Sequence, residues 1–158
     1  MDDRRILTRI SELGLDLPPA PKPVASYIPV RVSGKLAFVA GQVPMLDGVV
    51  LHAGRLGEAA DEVTVDDGAA GARQAALQAL SALRQGLGSF EPLEGIAQVT
   101  VYVACAPGFT DHPAVANGAS DVLVDVLGEA GRHARAAVGM ASLPLGASVE
   151  VAVTAELA

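Results

Sequence analysis

The sequence predicts an α+β fold in which one β-sheet carries two long helices packed on one face. Three observations lead there. Val99, Val101 and Val103 alternate with Thr100, Tyr102 and Ala104, and the same period of two returns in 134–141 and 147–157. Ala76, Leu80, Leu83 and Leu87 repeat at helical spacing, and a weaker helical stripe runs through Val115, Val122 and Val126. The 158 residues are 51% hydrophobic, so a single domain can bury a core.

Taken in order, Ile6, Ile10 and Leu13 predict a short amphipathic helix over 2–13, stopped by Gly14. Pro-rich residues 18–23 cannot continue it and read as an extended arm. Residues 1–24 are therefore assigned to a short helix and arm, and 25–158 to the domain proper. Strands near 29–33 and 36–42 flank Gly34-Lys35, which suits a two-residue type II′ hairpin. Residues 46–66 are poorly periodic and read as a long loop with one edge strand. A helix follows over 68–87, with Asp66 and Asp67 at its N-terminus and Gly88 as its stop. Strand 97–104, a helix over 112–128 with Pro113 in its first turn, and strands 134–141 and 147–157 complete the order ββ-α-β-α-ββ.

Strand parity then sorts the side chains. Val149, Val151 and Val153 are placed towards the helices with Val99, Val101 and Val103, and Ala136, Val138 and Met140 are grouped with them. Arg135, Ala137, Gly139 and Glu150 are assigned to the uncovered face. That face is small and mixed in polarity, which predicts association with another subunit.

Charge and composition remove several classes. Eleven basic and 18 acidic residues give a formal charge of −7, unfavourable for binding phosphate backbones or anionic membranes. Aromatics make up 3% of the chain, too few for a base-stacking platform. The single Cys105 excludes an internal disulfide and reads as a small buried hydrophobe in a reducing, cytoplasmic setting. No signal-peptide pattern or membrane-spanning run is apparent. His52, His112 and His133 lack metal-ligand spacing, and no P-loop, G-x-G-x-x-G or G-x-S-x-G motif occurs. Neither a metal nor a cofactor is expected. Arg135 and Glu150 stand out as charges within apolar strands. They read either as a structural ion pair at an interface or as a fork for a ligand carboxylate with an acid–base group.

Tyr27 ahead of a hairpin, Phe38-Val39-Ala40-Gly41-Gln42-Val43-Pro44, Thr100-Val101-Tyr102-Val103, Ala134-Arg135-Ala136 and Leu143-Pro144-Leu145-Gly146-Ala147-Ser148-Val149-Glu150-Val151 occur in one order. Together they resemble the reactive intermediate deaminase family of RidA/YjgF type, over roughly 25–158. The resemblance implies a chorismate-mutase-like mixed sheet, a homotrimer with clefts between subunits, and cofactor-free hydrolysis of 2-imino or 2-enamino acids to 2-oxo acids and ammonia. It implies that Arg135 holds the substrate carboxylate, Glu150 orients or activates water, Tyr27 closes the cleft and Asn117 faces the site. The backbone around Ala136 and Ala137 would meet the imine nitrogen. Ala40, where the family often has Ser, Ala137, where animal members often have Cys, and Ala152, where a second Glu is common, depart from the pattern. A trimer that binds small carboxylates without turnover is therefore the alternative.

Overall fold

A computed structural model describes residues 1–20, 26–57 and 63–158. From residue 21 onward the predicted proline-rich arm lies outside them. Helix α1 (Asp3–Glu12) starts where the Asp2 side chain accepts from Arg5 N, and it buries Ile6 and Ile10. The Asp3 carboxylate receives Arg84 Nε and Nη2, both at 3.0 Å, and Phe90 N at 2.9 Å. This clamp ties α1 to the far end of the second helix.

Strands β1 (Val30–Ser33) and β2 (Leu36–Gln42) form the expected hairpin, with Gly34 at φ +59° and Lys35 at negative φ, as a II′ turn requires. The predicted single edge strand in 46–66 is instead a small separate hairpin, β3 (Met45–Leu46) and β4 (Val49–Val50). Its turn is Asp47-Gly48, both at positive φ, a dipeptide signal for this type of turn. Helix α2 (Val65–Leu87) begins three residues earlier than periodicity suggested. Thr64 and Asp67 close a reciprocal capping box there, and Gly88 ends the helix in the left-handed region.

Strand β5 (Leu93–Ala104) is longer than predicted, α3 spans His112–Leu127, and β6 (Ala134–Met140) and β7 (Val149–Leu157) follow. The sheet order is β1-β2-β7-β5-β6, with β5 and β6 parallel and the other pairs antiparallel. It is a mixed sheet. The parallel pair requires a crossover, which α3 supplies. Helix α2 packs over β1, β2 and β7, and α3 over β5 and β6, so both lie on one face. Between helices and sheet the core holds Val99, Val101, Val103, Val149, Val151 and Val153. The two helices approach closely: a Cβ on Gly118 would overlap the Ala69 carbonyl.

The register corrects the facing assigned to β6. Arg135, Ala137 and Gly139 lie opposite Val99, Val101 and Val103, and paired residues share a face. Those three residues therefore point to the helix side, while Ala136, Val138 and Met140 share the open face with Thr100, Tyr102 and Ala104. The predicted alternation within β6 is present but lies on the other face, because it is anchored on Val138 as a core residue. At 40% exposed, Val138 is not one. Glu150 pairs with Tyr102 and does lie on the open face, as predicted.

Candidate functional site

Arg135 stands at the start of the edge strand β6 and turns towards α3. Its Nη1 donates to Asn117 Oδ1 at 2.9 Å and to Ser120 Oγ at 3.1 Å. Asn117 and Ser120 are one helical turn apart and so present their polar atoms side by side. Both Nη1 hydrogens are thereby committed. The guanidinium is left with its Nε–Nη2 edge, a pair of parallel N–H groups matched to a planar carboxylate. Ser120 Oγ also lies 3.0 Å from His133 Nε2, and His133 Nδ1 lies 2.6 Å from the Gly131 carbonyl.

Glu150 sits elsewhere. Its carboxylate lies half-buried beside a cleft of about 340 Å³ bordered by Gly41, Tyr102, Met140, Ser142 and Leu143. Burial pushes its carboxyl above the ordinary value of 4.5. The cleft owes its shape to a bulge in β2. Pairing with β7 runs Val39 to Val153 and then jumps Gln42 to Val151, so Ala40 and Gly41 together face one residue. A Cβ on Gly41 would overlap Glu150 Oε1. Gln42, buried, turns its amide back to donate to the Ala40 carbonyl at 2.8 Å. The Gly-Gln pair thus makes room for the carboxylate and closes the bulge.

The site residues named from the sequence fall in three places. Arg135 and Asn117 are together at the β6 edge, and Glu150 is on the open face. Tyr27, 49% exposed, precedes β1 at the opposite edge. Arg135 is opposite Val99 and Glu150 opposite Tyr102, so they stand about 10 Å apart along the strands and about 10 Å across them, on opposite faces. An ion pair between them within one chain is excluded, which confines the ion-pair reading to a contact between chains. Ala136 and Ala137 also separate. The Met140 carbonyl accepts from Cys105 N, so it points inward to β5. By the period of two, Ala136 does the same, whereas Arg135 and Ala137 aim their backbone groups outward from the sheet edge.

Sequence reading missed Ser120, His133, Gly41 and Tyr102. The i, i+3 relation of Asn117 to Ser120 and the i, i+2 relation of His133 to Arg135 were the available signals. Cys105 is buried as expected, and its Sγ lies 3.4 Å from His112 Nε2. Among the described residues no group of three His, Cys, Asp or Glu side chains could hold a metal ion, and no helix is long and apolar enough to cross a membrane.

Residues 7–157 match the family model described as "YjgF/chorismate_mutase-like, putative endoribonuclease". The chain belongs to this YjgF/chorismate-mutase-like family. Among its relatives, the protein TCP17 of Trypanosoma cruzi is 41% identical over 154 residues, 97% of this chain and 94% of that one. The crystal structure of Atu1372 from Agrobacterium tumefaciens, whose function is unknown, is 39% identical with a TM-score of 0.89, covering 99% of this chain and 94% of that one. The Escherichia coli TdcF structure with bound serine shares the YjgF fold at 22% identity and a TM-score of 0.60, covering 88% of this chain and 94% of that one.

Proposed function

We propose that this YjgF-family protein is a cofactor-free hydrolase of 2-imino and 2-enamino acids, working in clefts between the subunits of a homotrimer. The observation that carries the reading is the division of the site. A carboxylate-matching guanidinium edge lies on one face and a desolvated carboxyl on the other, each incomplete alone. Docking the β6 edge of one subunit against the open face of the next brings them to one ligand. The exposed Phe38, Val138 and Met140 on that face give such docking an apolar surface. TdcF, which binds serine, offers a fold-level parallel for a small amino-acid-like ligand.

The chemistry follows from the groups. The Nε–Nη2 edge of Arg135 holds the substrate carboxylate and fixes C2 of the imine. Glu150, with a raised affinity for protons, takes one from water as its oxygen attacks C2. The C=N electrons pass to nitrogen, which is protonated. Collapse of the carbinolamine restores C=O and expels ammonia. An enamine first gains a proton at C3. Backbone groups of Ala137, which point outward along the same edge, meet the nitrogen, and Tyr27, from a neighbouring subunit, closes the cleft. Resting in the cytoplasm, such an enzyme would meet imines released by amino-acid-degrading reactions.

The test is release of ammonia and 2-oxo acid from 2-iminobutanoate above the uncatalysed rate. Arg135→Ala should lower kcat/KM by about 10²-fold, the loss of a bidentate charged contact. Rates equal to background overturn the reading. Ala40, which removes a hydroxyl common in the family, favours a second reading, a trimer that binds small carboxylates without turnover. Calorimetric binding of 2-oxobutanoate with no catalysis would establish it. RNA cleavage, suggested by the endoribonuclease names of relatives, is disfavoured by the charge of −7.

A further inference from the structure

We propose that His133, acting through Ser120, is a positioning residue that sets which edge of the Arg135 guanidinium faces the ligand. The inference rests on the reading of Arg135 as a carboxylate anchor and adds to it the device that aims the anchor.

The Gly131 carbonyl can only accept, so at 2.6 Å His133 Nδ1 must carry a hydrogen and donate it. In the neutral ring Nε2 is then an acceptor, and its neighbour at 3.0 Å, Ser120 Oγ, must turn its hydrogen towards it. That choice leaves the Ser120 lone pairs to Arg135 Nη1 at 3.1 Å. Each link fixes the direction of the next. With Asn117 Oδ1 on the other Nη1 hydrogen, the guanidinium cannot rotate to offer Nη1 to a ligand without breaking two bonds. The start of the chain is itself held rigidly. Gly131 is buried at the end of a short 3₁₀ turn, and a Cβ there would overlap the Leu123 carbonyl of α3. The turn thus packs against the helix that also carries Ser120 and Asn117.

Specificity follows. A ligand must bring two oxygens side by side to the Nε–Nη2 edge, which favours bidentate anions over groups that offer a single acceptor.

Calorimetric titration of the purified full chain with 2-oxobutanoate tests the proposal, alongside kinetics on 2-iminobutanoate. His133→Ala and Ser120→Ala should each weaken binding and raise KM roughly tenfold with kcat little changed, the loss of a bond that orients a charged group. His133→Gln, which keeps an acceptor near the Nε2 position, and Ser120→Thr, which keeps the hydroxyl, should recover most of that loss. Nitrogen-resolved NMR, at a pH where the His133 imidazole is neutral, should place its hydrogen on Nδ1. Alanine variants that bind like the wild type while Arg135→Ala does not would overturn the relay and leave the anchor standing. So would an NMR signature with the hydrogen on Nε2. Unaltered binding by Arg135→Ala, or no binding by the wild type, overturns the anchor and the relay together.

Discussion

Gly41 stands in β2 where a side chain would collide with the carboxylate of Glu150. The two residues belong to neighbouring strands, and the bulge at Ala40 and Gly41 is what sets them together. Gly41→Ala should therefore act on the site more than on the fold. The clashing atom is the end of a flexible side chain, so the carboxylate can swing away at a cost of about 1 kcal/mol. Imine hydrolysis should fall at least tenfold while the melting temperature shifts by only a few degrees. Parallel activity and thermal-unfolding measurements check this.

Glu150 also links stability to pH. Burial raises its carboxyl above the ordinary 4.5, so between those two values the folded chain holds more protons than the unfolded one. Stability contributed by this group is complete below 4.5 and is lost as pH rises through the raised value. Glu150→Gln has no such loss. The variant should gain stability relative to the wild type as pH climbs from 4 to 8, while hydrolysis is abolished. Urea unfolding of both proteins across that range measures the difference.

The Asp3 clamp behaves with the opposite sign. Hydrogen bonds from Arg84, then from the Phe90 backbone, hold the Asp3 carboxyl below its ordinary value of 3.8. Its contribution is present above 3.8 and disappears as pH falls through the lowered value. Asp3→Asn should destabilise the protein at pH 7, and the difference should shrink as pH falls below 3.8. The anchored carboxylate joins α1 to the end of α2, so hydrogen exchange at α1 should rise before exchange in the sheet.

Most of the sheet was legible because burial on one face writes itself as alternation. Val99, Val101, Val103 and Val149, Val151, Val153 needed only a period of two. β6 resisted for a physical reason. As an edge strand over which α3 lies only partly, it keeps Ala134, Arg135, Val138, Gly139 and Met140 exposed, and its hydrophobic pattern no longer reports which side is the core. The early start of α2 was written in Thr64 and Asp67, a capping box outside the apolar stripe. In the site, Arg135 and Glu150 were visible as charges in apolar strands. Their separation onto opposite faces depends on register between strands, which no single strand encodes.

Close helix packing gives a prediction about the core. Gly118 meets the backbone of Ala69 where α3 crosses α2, and a carbonyl cannot turn aside as a side chain can. Gly118→Ala must push the helices apart, an overpacking cost of about 1–3 kcal/mol that outweighs the better helix propensity of alanine. Chemical denaturation should show a lower midpoint with an unchanged slope.

The division of the site between faces makes its strongest claim when subunits are mixed. Arg135→Ala protein keeps Glu150, and Glu150→Gln protein keeps Arg135, so each alone should keep no more than about a hundredth of wild-type activity. In a trimer whose clefts take the arginine from one subunit and the glutamate from the next, a mixed ring contains one cleft with both groups intact. Random assembly from equal amounts of the two variants should then restore about a quarter of wild-type clefts, since each cleft draws its two sides independently. Co-expression with distinguishable tags, followed by native mass measurement near three times 16.0 kDa, verifies that mixed trimers are present. Recovery of activity in those trimers far above either parent requires the two residues to act across an interface. Mixed trimers as inactive as their parents would mean that Arg135 and Glu150 never serve the same ligand, and that each belongs to a separate site.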